Sequence, residues 1–398
     1  MNKNFISNVA NLLTGNSIAQ LIQLLALLWF STVYKPSAFG LLATTQSAAV
    51  IAAAIFTLQM HLIIPLSGSK KEAEDLTRDV RAIALLVFLV SFIGFYFFNK
   101  VYLLAVALAL IVSFNNIHCG LLLYYSDYRR LGIFYVFRAV AIVILQYLFF
   151  TESPNYGLLL GGVIGELVAG LFIMGSVRHI NQTWNGLNKL IGLITRWKAF
   201  TFYGTLQELL SVAAYYMPLF IFDLKFGSEV SGQYAFASRL IWGPLIVVTA
   251  SLVQVLMRHY AEGLGFNSFI YIHKIISRFC GPFFVGLFFV AWLAEQVAHN
   301  LLEPSWEIAS QMLGLSIIWG GAFLLSIPYR VMLRIQRLQK IQLMIDLIVM
   351  LAYAILCFYP GISAVNVMVA IVIISFFQNM IMSIVVVSRV KPLNGGGV

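Results

Sequence analysis

The sequence predicts an all-α polytopic membrane protein of about twelve transmembrane helices in two six-helix lobes, with both termini inside. Three observations predict it. The chain of 398 residues is 61% hydrophobic and 10% charged, with a mean hydropathy of +0.91, far outside soluble composition. Apolar runs of roughly twenty residues, the length that crosses a hydrocarbon core, recur along the chain. The cations fall on alternate breaks between those runs, which is how short loops orient helical membrane proteins.

The spans read in order are 8–33, 40–66, 80–98, 101–124, 134–150 and 157–175, then 200–222, 232–257, 276–297, 309–328, 341–359 and 364–387. The first follows Lys3 on the inner side. It carries no small-residue cleavage pattern and runs at once into further spans, so it reads as a retained helix. The second and third are separated by Lys70, Lys71, Arg78 and Arg81, the fourth and fifth by Arg129, Arg130 and Arg138. Arg178, Lys189, Arg196 and Lys198 lie between the sixth and seventh; Arg258, Lys274 and Arg278 between the eighth and ninth. Arg330, Arg334, Arg337 and Lys340 precede the eleventh, and Arg389 and Lys391 follow the twelfth. These inner segments hold 21 of the 25 cations; the outer breaks keep Lys35, Lys100 and Lys225, and Arg239 sits within a span.

The organisation is an N-terminal lobe at 1–175, a cytoplasmic linker at 176–199, a C-terminal lobe at 200–387 and a cytoplasmic tail at 388–398. A faint internal echo at an offset of 192 pairs Gly40 and Ala43 with Gly232 and Ala235 at two outer helix starts. Two parallel repeats with the ligand site between them are a known transporter plan. Pro218, Pro244 and Pro282 fall inside spans of the second half, where proline frees a carbonyl and bends a helix.

Composition excludes several functions. The net charge of +10 sits beside helix ends on one side, a membrane signature with no nucleic-acid patch. Cys119, Cys280 and Cys357 all fall in spans and form no disulfide framework or metal motif. No GxxxxGK[ST] loop occurs. The largest outer break, 295–308, offers Glu295, His299, Glu303 and Glu307 without an arginine, a solvated connection with too little chemistry for a membrane polymerase or ligase.

Ionisable groups inside a bilayer cost about 2.5–3.5 kcal/mol each on insertion scales, so each marks a candidate. Arg138 near an inner end reads as snorkelling to the headgroups. Asp346 reads as a partner of the basic run from Arg330 to Lys340. Thr201, Thr205, Glu208 and Tyr215 share one face of the seventh span, and Asn16, Gln20 and Gln23 one face of the first. Such stripes either line one aqueous cavity or bond helix to helix in a dry bundle. Arg239, about two turns into the eighth span, either meets an anionic ligand bidentately or pairs with Glu166. Gln46 and Gln59, with Asn115, Asn116 and His118, are further polar candidates. The site is thus read as Arg239, Glu208, Asn16, Gln20, Gln23, Gln46, Asn115, Asn116, Thr205 and Tyr215, with Glu208 taken as a buried carboxylate suited to ion coupling. No metal ligand set is read.

Several stretches resemble a known family. Tyr34-Lys35-Pro36-Ser37-Ala38-Phe39-Gly40-Leu41-Leu42 is similar to its outer turn ending in Phe-Gly, and Leu62-Ile63-Ile64-Pro65-Leu66 precedes a Lys/Glu loop with Glu72-Ala73-Glu74. Phe226-Gly227 through Gly232-Gln233-Tyr234-Ala235 to Arg239 and Pro244 is similar to its eighth-helix entry, and Trp306-Glu307-Ile308-Ala309 to an outer segment before the tenth. In that order they resemble the Wzx-type O-antigen flippases of the multidrug/oligosaccharidyl-lipid/polysaccharide superfamily. Two features depart from it: Glu303-Pro304-Ser305 replaces a glycine before the tryptophan, and the first half shows no membrane-embedded cation of its own. The resemblance implies a MATE/MOP-like fold and a substrate of undecaprenyl-pyrophosphate-linked oligosaccharide, moved from the cytoplasmic to the periplasmic leaflet of a bacterial inner membrane. It implies cavity-lining first, second, fourth, seventh and eighth helices, no cofactor beyond a proton or sodium gradient, and a polysaccharide polymerase and chain-length regulator as partners. A drug or metabolite antiporter of the same plan is the alternative, and after it a membrane polysaccharide polymerase or ligase.

Overall fold

The computed structural model describes residues 3–98, 102–175, 192, 195, 201–202, 205–261, 265–336 and 338–389. Among them the chain forms twelve α-helices and no strand. They are α1 (Lys3–Phe30), α2 (Pro36–Thr57), α3 (Lys70–Phe98), α4 (Leu103–Tyr124), α5 (Tyr128–Glu152) and α6 (Gly157–Gly175), then α7 (Thr205–Phe226), α8 (Ser228–Ala261), α9 (Gly265–Leu301), α10 (Glu307–Ile335), α11 (Gln339–Phe358) and α12 (Ala364–Arg389). Among the described residues ten helices are long and apolar enough to cross a membrane, and α1 contributes a shorter apolar stretch, Thr14–Phe30. The protein is a multi-pass membrane protein.

Several helices outrun their apolar runs because the polar flanks cap them. Ser69 Oγ accepts from Glu72 N at 3.2 Å while Glu72 Oε2 accepts from Gly68 N at 3.0 Å, a capping-box arrangement that starts α3 ten residues before its apolar run. Asp127 accepts from Arg130 N at 3.1 Å and starts α5. At the same end Tyr125 donates to Glu74 at 2.7 Å. The α2–α3 and α4–α5 breaks therefore meet, as the alternating cations require. The long α9 buries few of its side chains: Phe279, Val285, Phe288, Phe289 and Trp292 all stand exposed. A continuous apolar face of that extent suits hydrocarbon and not water.

The helix contacts divide the chain into two compact units, Met1–Tyr216 and Met217–Val398, with α7 beginning in the first and ending in the second. The expected linker at 176–199 lies outside the described residues apart from Gly192 and Thr195. In the first unit α4 packs against α2, α3 and α6, and α5 against α6; in the second α10 packs against α8, α9 and α12, and α11 against α12. Each pairing recurs six helices later, so the internal echo is a repeat of packing.

Close approach of backbones ties the first unit together. Gly157, Gly161 and Gly165 recur every fourth residue along α6 and face α5. A Cβ at Gly161 would lie 2.5 Å from Gln146 Cα, and at Gly165 2.6 Å from Ile142 Cα. Gly15 of α1 meets Gly132 of α5 equally closely. The inner end of the second span is broken: Leu58 and Gln59 take left-handed backbone (φ 47° and 55°), at about 1–3 kcal/mol each. The chain then continues as two 3-10 turns, Met60–Leu62 and Ile64–Leu66. The expected continuous span to residue 66 is corrected to a helix ending at Thr57.

The glycine contact yields a test. Gly161→Ala forces a methyl against the backbone of α5 and should cost about 1–3 kcal/mol by overpacking, read as a lowered thermal unfolding midpoint in detergent. An unchanged midpoint would contradict the packing.

Candidate functional site

The polar groups of the first unit converge at the α4–α5–α6 contact. The glycine face of α6 lets Glu166 reach Arg138 on α5. Arg138 donates from Nε to Glu166 Oε2 at 2.7 Å and from Nη2 to Oε1, the two-pronged geometry that guanidinium and carboxylate favour. Asn115 of α4 adds Nδ2 to Oε2 at 3.2 Å and to the Glu166 carbonyl at 3.4 Å. Glu166 is 5% exposed and Arg138 35%. A carboxylate so enclosed persists because its two oxygens are occupied by charged and amide donors.

This corrects two expectations. Arg138 does not snorkel: its side chain turns to a carboxylate on the next helix. Glu166 is held by Arg138 of its own unit, where the sequence offered Arg239 as a possible partner. The first half therefore does carry an embedded cation, already neutralised within its own unit.

Beside the pair lies a cavity of about 230 Å³, lined by His61, Asn116, Cys119, Tyr135, Arg138 and Glu166, with Leu62, Pro65, Val112, Leu123 and Phe134 as apolar wall. The broken end of α2 supplies His61 and Pro65. Thr57 Oγ1 lies 3.1 Å from the Ala53 carbonyl and 3.0 Å from His61 Nδ1, a hydrogen bond whose direction follows the imidazole tautomer. Deeper in, His118 is 1% exposed. Its Nδ1 donates to the Phe114 carbonyl at 2.6 Å, so its Nε2 accepts from Arg81 Nη2. That link joins α3 to α4, a packing role and not a metal site; among the described residues no metal-binding cluster occurs.

Of the residues singled out by sequence, Asn115 and Asn116 reach this site. Gln46 is half-buried and lies near Gly162 of α6. Asn16, Gln20 and Gln23 are half-buried on α1, between its packed face and an exposed face of Ile18, Leu21, Leu25 and Leu28; they are not among the cavity's walls. The α7 stripe divides. Thr201 and Thr205 are buried with hydroxyls unpartnered among the described residues, whereas Glu208 and Tyr215 are exposed. Glu208 is thus not the buried carboxylate expected; Glu166 is. Gln59 is buried at the break after α2.

In the second unit Arg239 is half-buried on α8. Asp346 accepts from Gln378 at 2.7 Å and feels the charge of Arg330, whose guanidinium donates to Ser326 at 3.1 Å and Asn379 at 3.2 Å. The expected pairing of Asp346 with the basic run is thus a charge interaction with Arg330, with Gln378 and Gln342 as hydrogen-bond partners. His61, Tyr135, Arg138 and Glu166 were not read from the sequence as one site. A usable signal was the midpoint of 138 and 166, residue 152, where α5 ends: a hairpin folded there brings the two level.

No family model and no curated protein sequence matches the chain. Solved structures do. An inward-facing multidrug resistance MATE family transporter of the MOP superfamily aligns with a TM-score of 0.61 at 17% identity, over 95% of this chain and 93% of its own. A MATE protein in complex with MaL6 gives 0.60 at 17% identity, over 96% and 95%. A MOP superfamily transporter from Pyrococcus furiosus, described as having a binding pocket of reversed polarity, gives 0.56 at 16%, over 96% and 94%. The chain is similar to these throughout its length and has the MATE-like fold of MOP superfamily transporters.

Breaking the buried pair from either side should cost unequally. Arg138→Met strands an enclosed carboxylate, at about 3–5 kcal/mol; Glu166→Gln should cost less, since Arg138 keeps its access to the cavity. The double change Arg138→Met with Glu166→Met should recover most of the loss. Thermal unfolding of the three purified variants measures this, and additive losses would refute it.

Proposed function

We propose that the protein is a flippase that moves undecaprenyl-pyrophosphate-linked oligosaccharide, such as an O-antigen repeat unit, from the cytoplasmic to the periplasmic leaflet of a bacterial inner membrane by alternating access. The observation that carries this reading is a cavity inside a membrane-spanning unit walled by guanidinium, carboxylate, amide and imidazole groups. Such groups cost free energy to bury and serve a hydroxylated cargo better than an apolar one. The sequence resemblance to polysaccharide flippases supports the same cargo, and the fold supports a transporter without distinguishing its substrate.

The physical task is to carry a polar head through an apolar slab while the lipid tail remains in lipid. Arg239 is assigned the phosphate: a fork of N–H donors binds phosphate oxygens bidentately and offsets the burial of their charge. Glu208 stands exposed on α7, and the cargo reading does not depend on its role in coupling. An antiporter of drugs is the second reading, favoured by the multidrug transporters among the similar structures.

Reconstituted vesicles decide between them. Vesicles containing the protein should translocate a fluorescent lipid-linked oligosaccharide. Arg239→Ala should lose roughly ten- to hundredfold in rate, the worth of about 1.5–3 kcal/mol for hydrogen bonds to a charged group, while Arg239→Lys should retain part. Transport of a cationic dye with no movement of the saccharide would establish the antiporter instead.

A further inference from the structure

We infer that the cavity of the first unit is a subsite for one uncharged sugar ring of the substrate, with Arg138, Asn116 and His61 as its hydrogen-bonding groups. The inference rests on the saccharide reading above and adds which part of the substrate this unit recognises.

The argument begins with charge. An arginine beside a membrane cavity suggests an anion, but Arg138 spends Nε and Nη2 on Glu166. The carboxylate cancels its charge at contact distance. A phosphate entering here would face Glu166 as well as Arg138 and would have to be desolvated against a neutral pair, a poor exchange. What remains is directional and uncharged. Arg138 lines the cavity and is 35% exposed, and a guanidinium has five N–H donors, more than its two bonds to Glu166 use. His61 brings to the wall an imidazole that donates or accepts according to its tautomer. Asn116 lines the cavity with an amide that both donates and accepts. A ligand meeting this set must both donate and accept around a small ring, as the hydroxyls of a pyranose do. Leu62, Val112 and Phe134 supply apolar wall for the ring's C–H faces.

Size agrees. The cavity holds about 230 Å³, at the small end against the roughly 300–1,000 Å³ of pockets for drug-sized ligands, and has room for one ring.

The experiment measures the thermal unfolding midpoint of the full-length protein in nanodiscs. A panel of methyl hexosides and methyl N-acetylhexosaminides is compared with inorganic pyrophosphate. At well above its Kd, at least one glycoside should raise the midpoint in a concentration-dependent way, as a ligand of the folded state does, and pyrophosphate should not. Asn116→Ala should remove the stabilisation, and Asn116→Gln should restore part of it, with both variants unfolding cooperatively in the absence of sugar. Stabilisation by pyrophosphate alone, or by no glycoside of the panel, overturns the inference. Vesicle transport separates this from the wider reading: flipping without glycoside stabilisation removes the subsite, and stabilisation without flipping removes the flippase.

Discussion

The first unit depends on how closely α6 lies against α5. Three glycines at helical spacing remove the side chains that would hold the two backbones apart. The same approach carries Glu166 to Arg138 and lets Asn115 of α4 complete the carboxylate's hydrogen bonding. Local sequence, helix packing and the chemistry of the cavity are thus one chain of cause. A single methyl at the contact would move the carboxylate from the guanidinium and change the cavity's charge as well as its shape.

A second constraint is where polar groups are tolerated. Bonded completely, an arginine and a glutamate can stay in a membrane-spanning unit at modest cost. The pair neutralises itself, and polarity remains without net charge. The two units share several helix pairings but not the same polar solution. The second sets Asp346 against Gln378, with Arg330 bonded to Ser326 and Asn379. A common scaffold has been given two differently polar interiors.

Much of the fold was legible in the sequence. Apolar length and alternating cations yield the helices and their order, because both follow from bilayer thickness and loop charge. The candidate site was legible only in part. Arg138 was misread because depth along a helix shows in sequence while a partner on the neighbouring helix does not. The stripe from Thr201 to Tyr215 was right in angle, yet its members differ in burial; a helical wheel reports direction and not environment. The break after α2 was invisible, since Leu58 and Gln59 are neither glycine nor proline. His61 reaches the cavity only because of that break.

The central claim is that Arg138 is cancelled by an ionised Glu166, leaving a polar and uncharged cavity. Difference infrared spectroscopy between the unaltered protein and Glu166→Gln at neutral pH tests it most directly. The account predicts that the substitution removes a carboxylate stretching pair. Loss of a protonated carboxylic-acid carbonyl band instead would mean an uncompensated guanidinium at the cavity, and would contradict it.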